Sequence, residues 1–328
     1  MFCARILFLL FSVTTVSAQT LPTLDKLRAE GYEALFNLDY IAARRNFQKM
    51  VELAPDNPAG PESYAVSIWF EQLNKTWELK SRLYTDEADT ETKTKVDPRE
   101  VQEFRKWTHR TEQLAQARLR RDPRDVEALY FLGAAEGLEA AYAAAIEQKY
   151  MPALRTGSDA VDHHRKVLEL SPKLYDAELT IGLQDYVIGS LPLPLKMIAG
   201  TVGVRGSKKR GLSELEQVAR EGQWARDMAR VFLVDLYKRE KRWDDAIATT
   251  RDLSVRYPRN YLFKLQLAEA LALKILADRK NKTSKPVTES FEQREVFSIY
   301  DSLLHDKTLA TQTALIQSRR NQTARLLK

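Results

Sequence analysis

The sequence predicts an all-α fold, a solenoid of stacked helix-turn-helix units. Residues 27–55 and 230–258 superpose without gaps, and each stretch has the apolar spacing of two short amphipathic helices. A proline closes each stretch, Pro55 in the first and Pro258 in the second. Two short helices cannot bury their apolar faces alone, so each pair must stack on the next. The repetition therefore indicates an array of helix pairs.

Residues 1–18 have the pattern of an export signal. A short basic start precedes a nearly unbroken apolar run, Ile6–Val16, and Val16–Ala18 supplies the small residues of a cleavage point. The run is 11 residues long, shorter than the roughly 20 that a membrane-spanning helix needs. We therefore expect cleavage after residue 18, which leaves a single repeat domain over 19–328 in the periplasm or another extracytoplasmic space. An uncleaved signal anchor is the alternative.

Cysteine usage fits this interpretation. The only cysteine, Cys3, lies inside the signal, so the exported chain would hold no thiol. Disulfides, cysteine metal sites and thiol nucleophiles are then excluded. A chain of this length can instead be stabilised by apolar burial.

The residues within the best units identify the kind of repeat. In the first unit Gly31 stands where two helices cross closely, Ala43 fills a tight contact between helices, and Phe47 supplies a bulky apolar side chain. Leu233 and Ala246 hold equivalent positions in the fifth unit. These residues resemble the consensus of tetratricopeptide repeat proteins, in particular exported bacterial members with lengthened repeats. The resemblance covers nearly all of the mature chain and implies a right-handed superhelix. Its concave face would hold an extended peptide, a helix or another subunit.

The middle units are more divergent. Leu129, Leu132 and Gly133 match the start of a first helix, and Gly211 and Val218 take core positions in a later unit. The expected units and the closing helices are 24–58, 59–125, 126–174, 175–225, 226–259 and 260–328.

The resemblance implies that the first helix of each unit lines the concave face, so polar and aromatic residues there are candidate binding residues. This predicts a protein or peptide site formed by Tyr130, Glu136, Tyr142, Gln184 and Tyr186.

Two insertions interrupt the repeats. Residues 84–98 are polar and predict a surface loop. Residues 186–204 are almost entirely apolar, and Pro192 and Pro194 predict extended or kinked backbone before Leu195. This segment either folds back to plug the groove or cap a widened core, or it forms an exposed hairpin that contacts a partner or a bilayer surface. The candidate residues of the second alternative are Leu191, Leu193, Leu195, Met197, Ile198, Arg205, Lys208, Lys209 and Arg210.

Composition and motifs argue against other classes of function. With 51 basic and 45 acidic residues, the net charge of +6 is small and dispersed, so nucleic acid is not an expected partner. The glycines of 200–208 do not have the spacing of a phosphate-binding loop. His163 and His164 form the only histidine cluster, and His164 occupies the position of a core or groove aromatic, so we expect no metal. No catalytic motif or cofactor site is evident.

The sequence therefore predicts a non-enzymatic protein-binding scaffold of the cell envelope that holds a peptide or protein on its concave face. The alternative is a peripheral membrane or envelope-assembly factor that uses residues 186–204. An enzyme with an unrecognised site, based on His163 or His164, is the remaining possibility.

Overall fold

The computed structural model describes residues 20–82, 97–201, 203–281 and 291–328. The expected export signal and most of the polar insertion 84–98 lie outside the described residues.

Helices make up the fold. Over the described ranges the chain forms fourteen α-helices and no strand, which confirms the predicted all-α solenoid. The helices are α1 Thr20–Phe36, α2 Tyr40–Leu53, α3 Ala59–Arg82, α4 Pro98–Leu119, α5 Val126–Ala145, α6 Tyr150–Leu170, α7 Glu178–Ser190, α8 Leu193–Thr201, α9 Lys208–Glu221, α10 Arg226–Arg239, α11 Trp243–Arg256, α12 Tyr261–Asn281, α13 Phe291–His305 and α14 Thr313–Leu326.

The helices stack as consecutive pairs. The pairs are α1 with α2, α3 with α4, α5 with α6, α7 with α9, α10 with α11, and α12 with α13, and each pair packs on the next. Helix α8 lies between α7 and α9 in the sequence but belongs to no pair. We call α1, α3, α5, α7, α10 and α12 the first helices, and their partners the second helices.

First and second helices differ in how their apolar residues are distributed. The second helix α9 buries only one face, through Gly211, Leu215 and Val218 at spacings of three and four residues. The first helix α5 instead buries six consecutive residues, 128–133, and α12 is buried almost as completely. A helix that is apolar on every side must be covered on every side. Helices α5 and α12 therefore lie in an enclosed inner layer.

The two ends of the array meet. The ring of Phe36, at the end of α1, lies 5.1 Å from the ring of Tyr257, and the side chain of Asn260 donates a hydrogen bond of 2.7 Å to the Phe36 carbonyl. Further along, Trp69 of α3 lies 5.8 Å from Phe232 of α10. Repeats in an open solenoid contact only their neighbours. This solenoid closes on itself, and side chains of the first helices fill its interior.

Glycines allow α7 and α9 to pack almost backbone to backbone. A Cβ atom on Gly211 would lie 2.6 Å from the Tyr186 amide nitrogen, and one on Gly206 would lie 2.6 Å from the Asp185 carbonyl oxygen. Real Cβ atoms do not approach so closely, so both positions require glycine. The glycines near 200–208 that superficially resemble a phosphate-binding loop thus include one that serves helix packing.

Candidate docking surface

Helix α8 is exposed over its whole described length. Leu193 is 72% exposed, Met197 67% and Leu195 48%, although α8 is rich in apolar residues. Other large apolar side chains are exposed on the two helices that meet at the base of α8, two at the start of α6 and one on α7. We call the combined area the apolar surface; it consists of Tyr150, Met151, Val187, Leu193, Leu195 and Met197.

The close contact between α7 and α9 explains why α8 projects. The backbone at Gly206 lies against that at Gly189, so the chain leaves α7 and returns to α9 at nearly the same point. Near this base Ile188 and Val204 are buried, and they pack with partly buried Leu154 and Leu191. No space remains between α7 and α9 for the residues that connect them. Helix α8 must therefore lie at the outer end of the connection.

The prolines act differently from the sequence prediction. Leu191, where α7 ends, has extended backbone, and α8 begins at Leu193, two residues before Leu195. Pro194 is the second residue of the helix, where an amide would have no partner within the helix. The Lys196 amide donates the first helical bond, 3.0 Å, to the Pro192 carbonyl. The prediction that the backbone stays irregular up to Leu195 was wrong.

The exposure of α8 argues against the alternative in which this segment folds back into the groove. Only the residues at its base, such as Ile188 and Val204, cap a small core, whereas α8 neither plugs a groove nor fills the interior. Ile198 lies in α8, and its side chain is outside the described set.

Along the chain, the segments that carry the apolar surface have charges of one sign. No acidic residue occurs between Asp185 and Glu214 or between Glu147 and Asp159. Within the described ranges, the exposed side chains of Lys196, Arg205 and Lys209 form no ion pair. The basic residues of the surface therefore carry uncompensated positive charge.

Two other basic residues at the base of α8 have structural partners. Lys208 donates to the Glu240 carboxylate at 2.7 Å, and Arg210 contacts both oxygens of the buried Asp185 carboxylate. This hydrogen bonding raises the pKa of the Arg210 guanidinium. Arg210 and Lys208 thus fix the start of α9, and they are less available to a partner than Lys196, Arg205 and Lys209.

Three of the five residues expected on the concave face are buried. Tyr142 stacks on Phe104 with ring centroids 4.1 Å apart, and Tyr130 stacks on His164 at 5.3 Å. The Tyr186 hydroxyl donates a hydrogen bond of 2.8 Å to the Glu240 carboxylate. Burial raises the pKa of both Tyr142 and Tyr186 to about 12. The expectation that these tyrosines face an open groove was wrong, because the first helices pack against one another across the interior.

The other two expected residues are partly exposed. Glu136 accepts a hydrogen bond of 2.7 Å from His163, and this bond raises the pKa of the imidazole. Gln184 is half-buried.

His164 is a core residue. It is 2% exposed, and its Nε2 donates a hydrogen bond of 3.0 Å to the Tyr130 carbonyl. Burial lowers its pKa to about 4, so the imidazole is neutral at pH 7. Over the described part of the chain, no three histidine, cysteine or acidic side chains are grouped so as to hold a metal ion.

The sequence prediction missed Tyr150 and Met151, whereas Val187 lies within the expected segment 186–204. Tyr150 and Met151 precede Pro152 at the start of α6, in an acid-free stretch that is distant in sequence from α8. The available signal was the combination of two large apolar residues, a helix-starting proline and flanking basic residues. Only the fold brings this stretch next to the base of α8.

No family model and no curated protein matches the chain. Among solved structures, the chain is similar to TTC0263, a thermophilic TPR protein of Thermus thermophilus, with 15% identity over 76% of this chain and 98% of that one, and a TM-score of 0.40. It is also similar to IFIT1, as a monomeric mutant with Gppp-AAAA (11% identity, 93% and 71% covered, TM-score 0.43) and as the human dimer with m7Gppp-AAAA (11%, 95% and 70%, 0.41). The fold assignment rests on the helix pairs themselves: the chain has the repeat architecture of tetratricopeptide proteins, as its sequence resemblance predicts.

Proposed function

We propose that the chain is a non-enzymatic interaction scaffold of the cell envelope that docks through the apolar surface. The observation that carries this proposal is α8, an apolar helix that projects from a closed array and packs against almost nothing. Exposing several large apolar side chains together opposes the hydrophobic effect. Contiguous apolar patches on soluble proteins commonly mark contact sites.

The closed interior supports a contact on the outside of the array. Burial of Tyr130 and Tyr142 leaves these residues unavailable to an incoming peptide, so the proposal does not use the concave face. The envelope location rests on the export signal expected at 1–18. No helix among the described residues is long and apolar enough to cross a membrane. Nucleic acid is not part of the proposal, because the excess of basic residues is small.

Fractionation of the producing cells tests this function. The variant Leu193→Ser with Met197→Ser removes two of the most exposed apolar side chains of α8. Ile41→Ser with Val255→Ser is the matched control, since both residues are helical and more than 70% exposed but lie on α2 and α11. We expect the wild type and the control to be recovered with the envelope fraction and the α8 variant to become soluble. Equal recovery of all three proteins in the envelope would contradict the proposal.

A further inference from the structure

The composition of the apolar surface and of the residues beside it indicates what kind of partner covers it. Its centre is apolar, its flanks are basic, and the two acid-free stretches, 148–158 and 186–213, contain seven basic residues. A second copy of this chain is a poor occupant, because a two-fold contact would bring Lys196, Arg205 and Lys209 of both copies together without an acidic residue to pair with them. The charges instead complement an anionic partner.

The arrangement of side chains on α8 separates a lipid surface from a protein groove. Leu193 and Met197 are four residues apart and share one side of the helix, whereas Leu195 lies about 200° around the axis from Leu193. A protein groove covers one stripe of a bound helix, with positions such as i, i+3, i+4 and i+7. A protein groove that covered Leu193 and Met197 would leave Leu195 in water, and one that covered Leu195 would leave Leu193 and Met197 in water. Immersion in the boundary between headgroups and acyl chains covers all sides of the helix at once.

The dimensions and the charges fit such immersion. A helix of nine residues is about 14 Å long, and interfacial helices enter the bilayer by about 5–10 Å. The long side chain of Lys196 can keep its ammonium group at headgroup level while its methylenes lie among the acyl chains. Arg205 and Lys209, near the base of the projection, would then face the lipid phosphates.

We propose that the apolar surface inserts into the headgroup region of an anionic lipid bilayer, with α8 as the inserted element and Lys196, Arg205 and Lys209 as the phosphate-facing charges. The proposal rests on the docking function proposed above and names its partner. An entry depth of about 5–10 Å is well short of the roughly 30 Å hydrocarbon core, so the attachment is peripheral and reversible.

A fluorophore on α8 tests insertion directly. Because Cys3 is the only cysteine, Cys3→Ser with Met197→Cys places one environment-sensitive label on α8. Cys3→Ser with Ile41→Cys places the same label on α2, at another exposed apolar position. On vesicles of equal parts phosphatidylglycerol and phosphatidylcholine, we expect a blue shift and an intensity rise from position 197 and none from position 41. This comparison is independent of any binding through residues 1–18.

Charge variants test the choice of anionic lipid. Together, Lys196→Gln, Arg205→Gln and Lys209→Gln should weaken the affinity for the vesicles, as measured by the label at position 197. The expected loss is on the order of a hundredfold, at about fivefold per removed charge. Arg121→Gln, Lys166→Gln and Lys173→Gln remove the same charge from exposed positions elsewhere and should have much less effect. Raising the salt concentration should also weaken binding. Circular dichroism of every variant checks that the fold is retained.

Two outcomes would overturn the lipid proposal: a label at position 197 that stays in water with phosphatidylglycerol vesicles, or an equal response with pure phosphatidylcholine. If envelope recovery still depends on Leu193 and Met197 in the first case, the docking function stands and the partner is a protein. If envelope recovery is also independent of α8, both proposals fail.

Discussion

His164 is a buried group whose titration should affect stability. Its pKa in the folded protein is about 4, whereas an unfolded histidine has a pKa near 6.5. Between these values the unfolded chain binds a proton that the folded chain does not. The contribution of His164 to the free energy of unfolding is therefore fully present above about pH 6.5 and is lost as the pH falls, by about 1.4 kcal/mol per unit and about 3 kcal/mol in all.

The variant His164→Gln tests this prediction, because glutamine keeps a donor but does not titrate. Denaturant unfolding at pH 7 and at pH 4.5 should show a smaller loss of stability on acidification for the variant than for the wild type. The control His305→Gln, at an exposed histidine, should behave like the wild type. An identical loss in His164→Gln would show that the imidazole is not protected from protonation in the folded state.

Asp176 should stabilise the junction between two units. The carboxylate is 1% exposed and accepts hydrogen bonds from the amides of Gln223, Trp224 and Ala225, the last at 2.6 Å, where α10 begins. Asp176→Ala would leave these donors without their acceptor, and we expect a loss of about 3 kcal/mol or more. Asp162→Ala, at an exposed aspartate, should change stability by less than about 0.5 kcal/mol. Denaturant unfolding measures both; similar values would contradict the assigned role.

Single residues were predictable where the repeat itself requires them. Gly31 was expected at a close crossing, and a Cβ atom there would collide with the Phe47 ring. Asp176 was not predictable, because its partners lie 47–49 residues away in a divergent part of the chain. Local spacing gives no sign of such a long-range cap.

At the level of elements, the packing of α7 on α9 depends on glycine. A Cβ atom at Gly211 would lie 2.5 Å from the Gly182 carbonyl oxygen, and backbone cannot rotate away as a side chain can. We expect Gly211→Ala to destabilise the chain by about 1–3 kcal/mol through overpacking. Gly200→Ala is the matched control, since nothing lies within 4 Å of its Cβ position in α8, and it should be neutral or stabilising by up to about 1 kcal/mol. Thermal or denaturant unfolding would measure the change in stability for each variant. Equal changes for Gly211→Ala and Gly200→Ala would refute the close packing of α7 on α9.

The same elements show which part of the site the sequence could indicate. The apolar segment and its basic flank were evident from composition, but its helical form was not, since prolines disfavour helix except in the first turn. The exposure of α8 was also undecided, because it follows from the contact of Gly206 with the backbone at Gly189. That contact depends on the relative position of two helices, which no local pattern specifies.

At the scale of the whole molecule, the closure of the solenoid was not predicted, and it removed the expected groove. The contact that closes it joins Asn260 to Phe36, 224 residues apart. A repeat pattern specifies how neighbouring units stack, whereas closure depends on small angles added over six pairs. The one sequence signal was the lack of a polar face on α5 and α12. Such helices need cover on every side, which an open groove does not provide.

Closure should couple the two ends of the chain. Phe36 is 3% exposed and packs on Phe70 of α3 as well as on Tyr257, so Phe36→Ala should cost about 3–5 kcal/mol. Because the seam holds both ends, amide hydrogen exchange should rise in α1 and also around Asn260. Phe104→Ala removes an equally buried ring that stacks on Tyr142 within neighbouring units, and exchange there should rise mainly in α4 and α5. If Phe36→Ala increased exchange only in α1 and α2, the ends would be energetically independent, and an open array with an accessible concave face would again be the better description in solution.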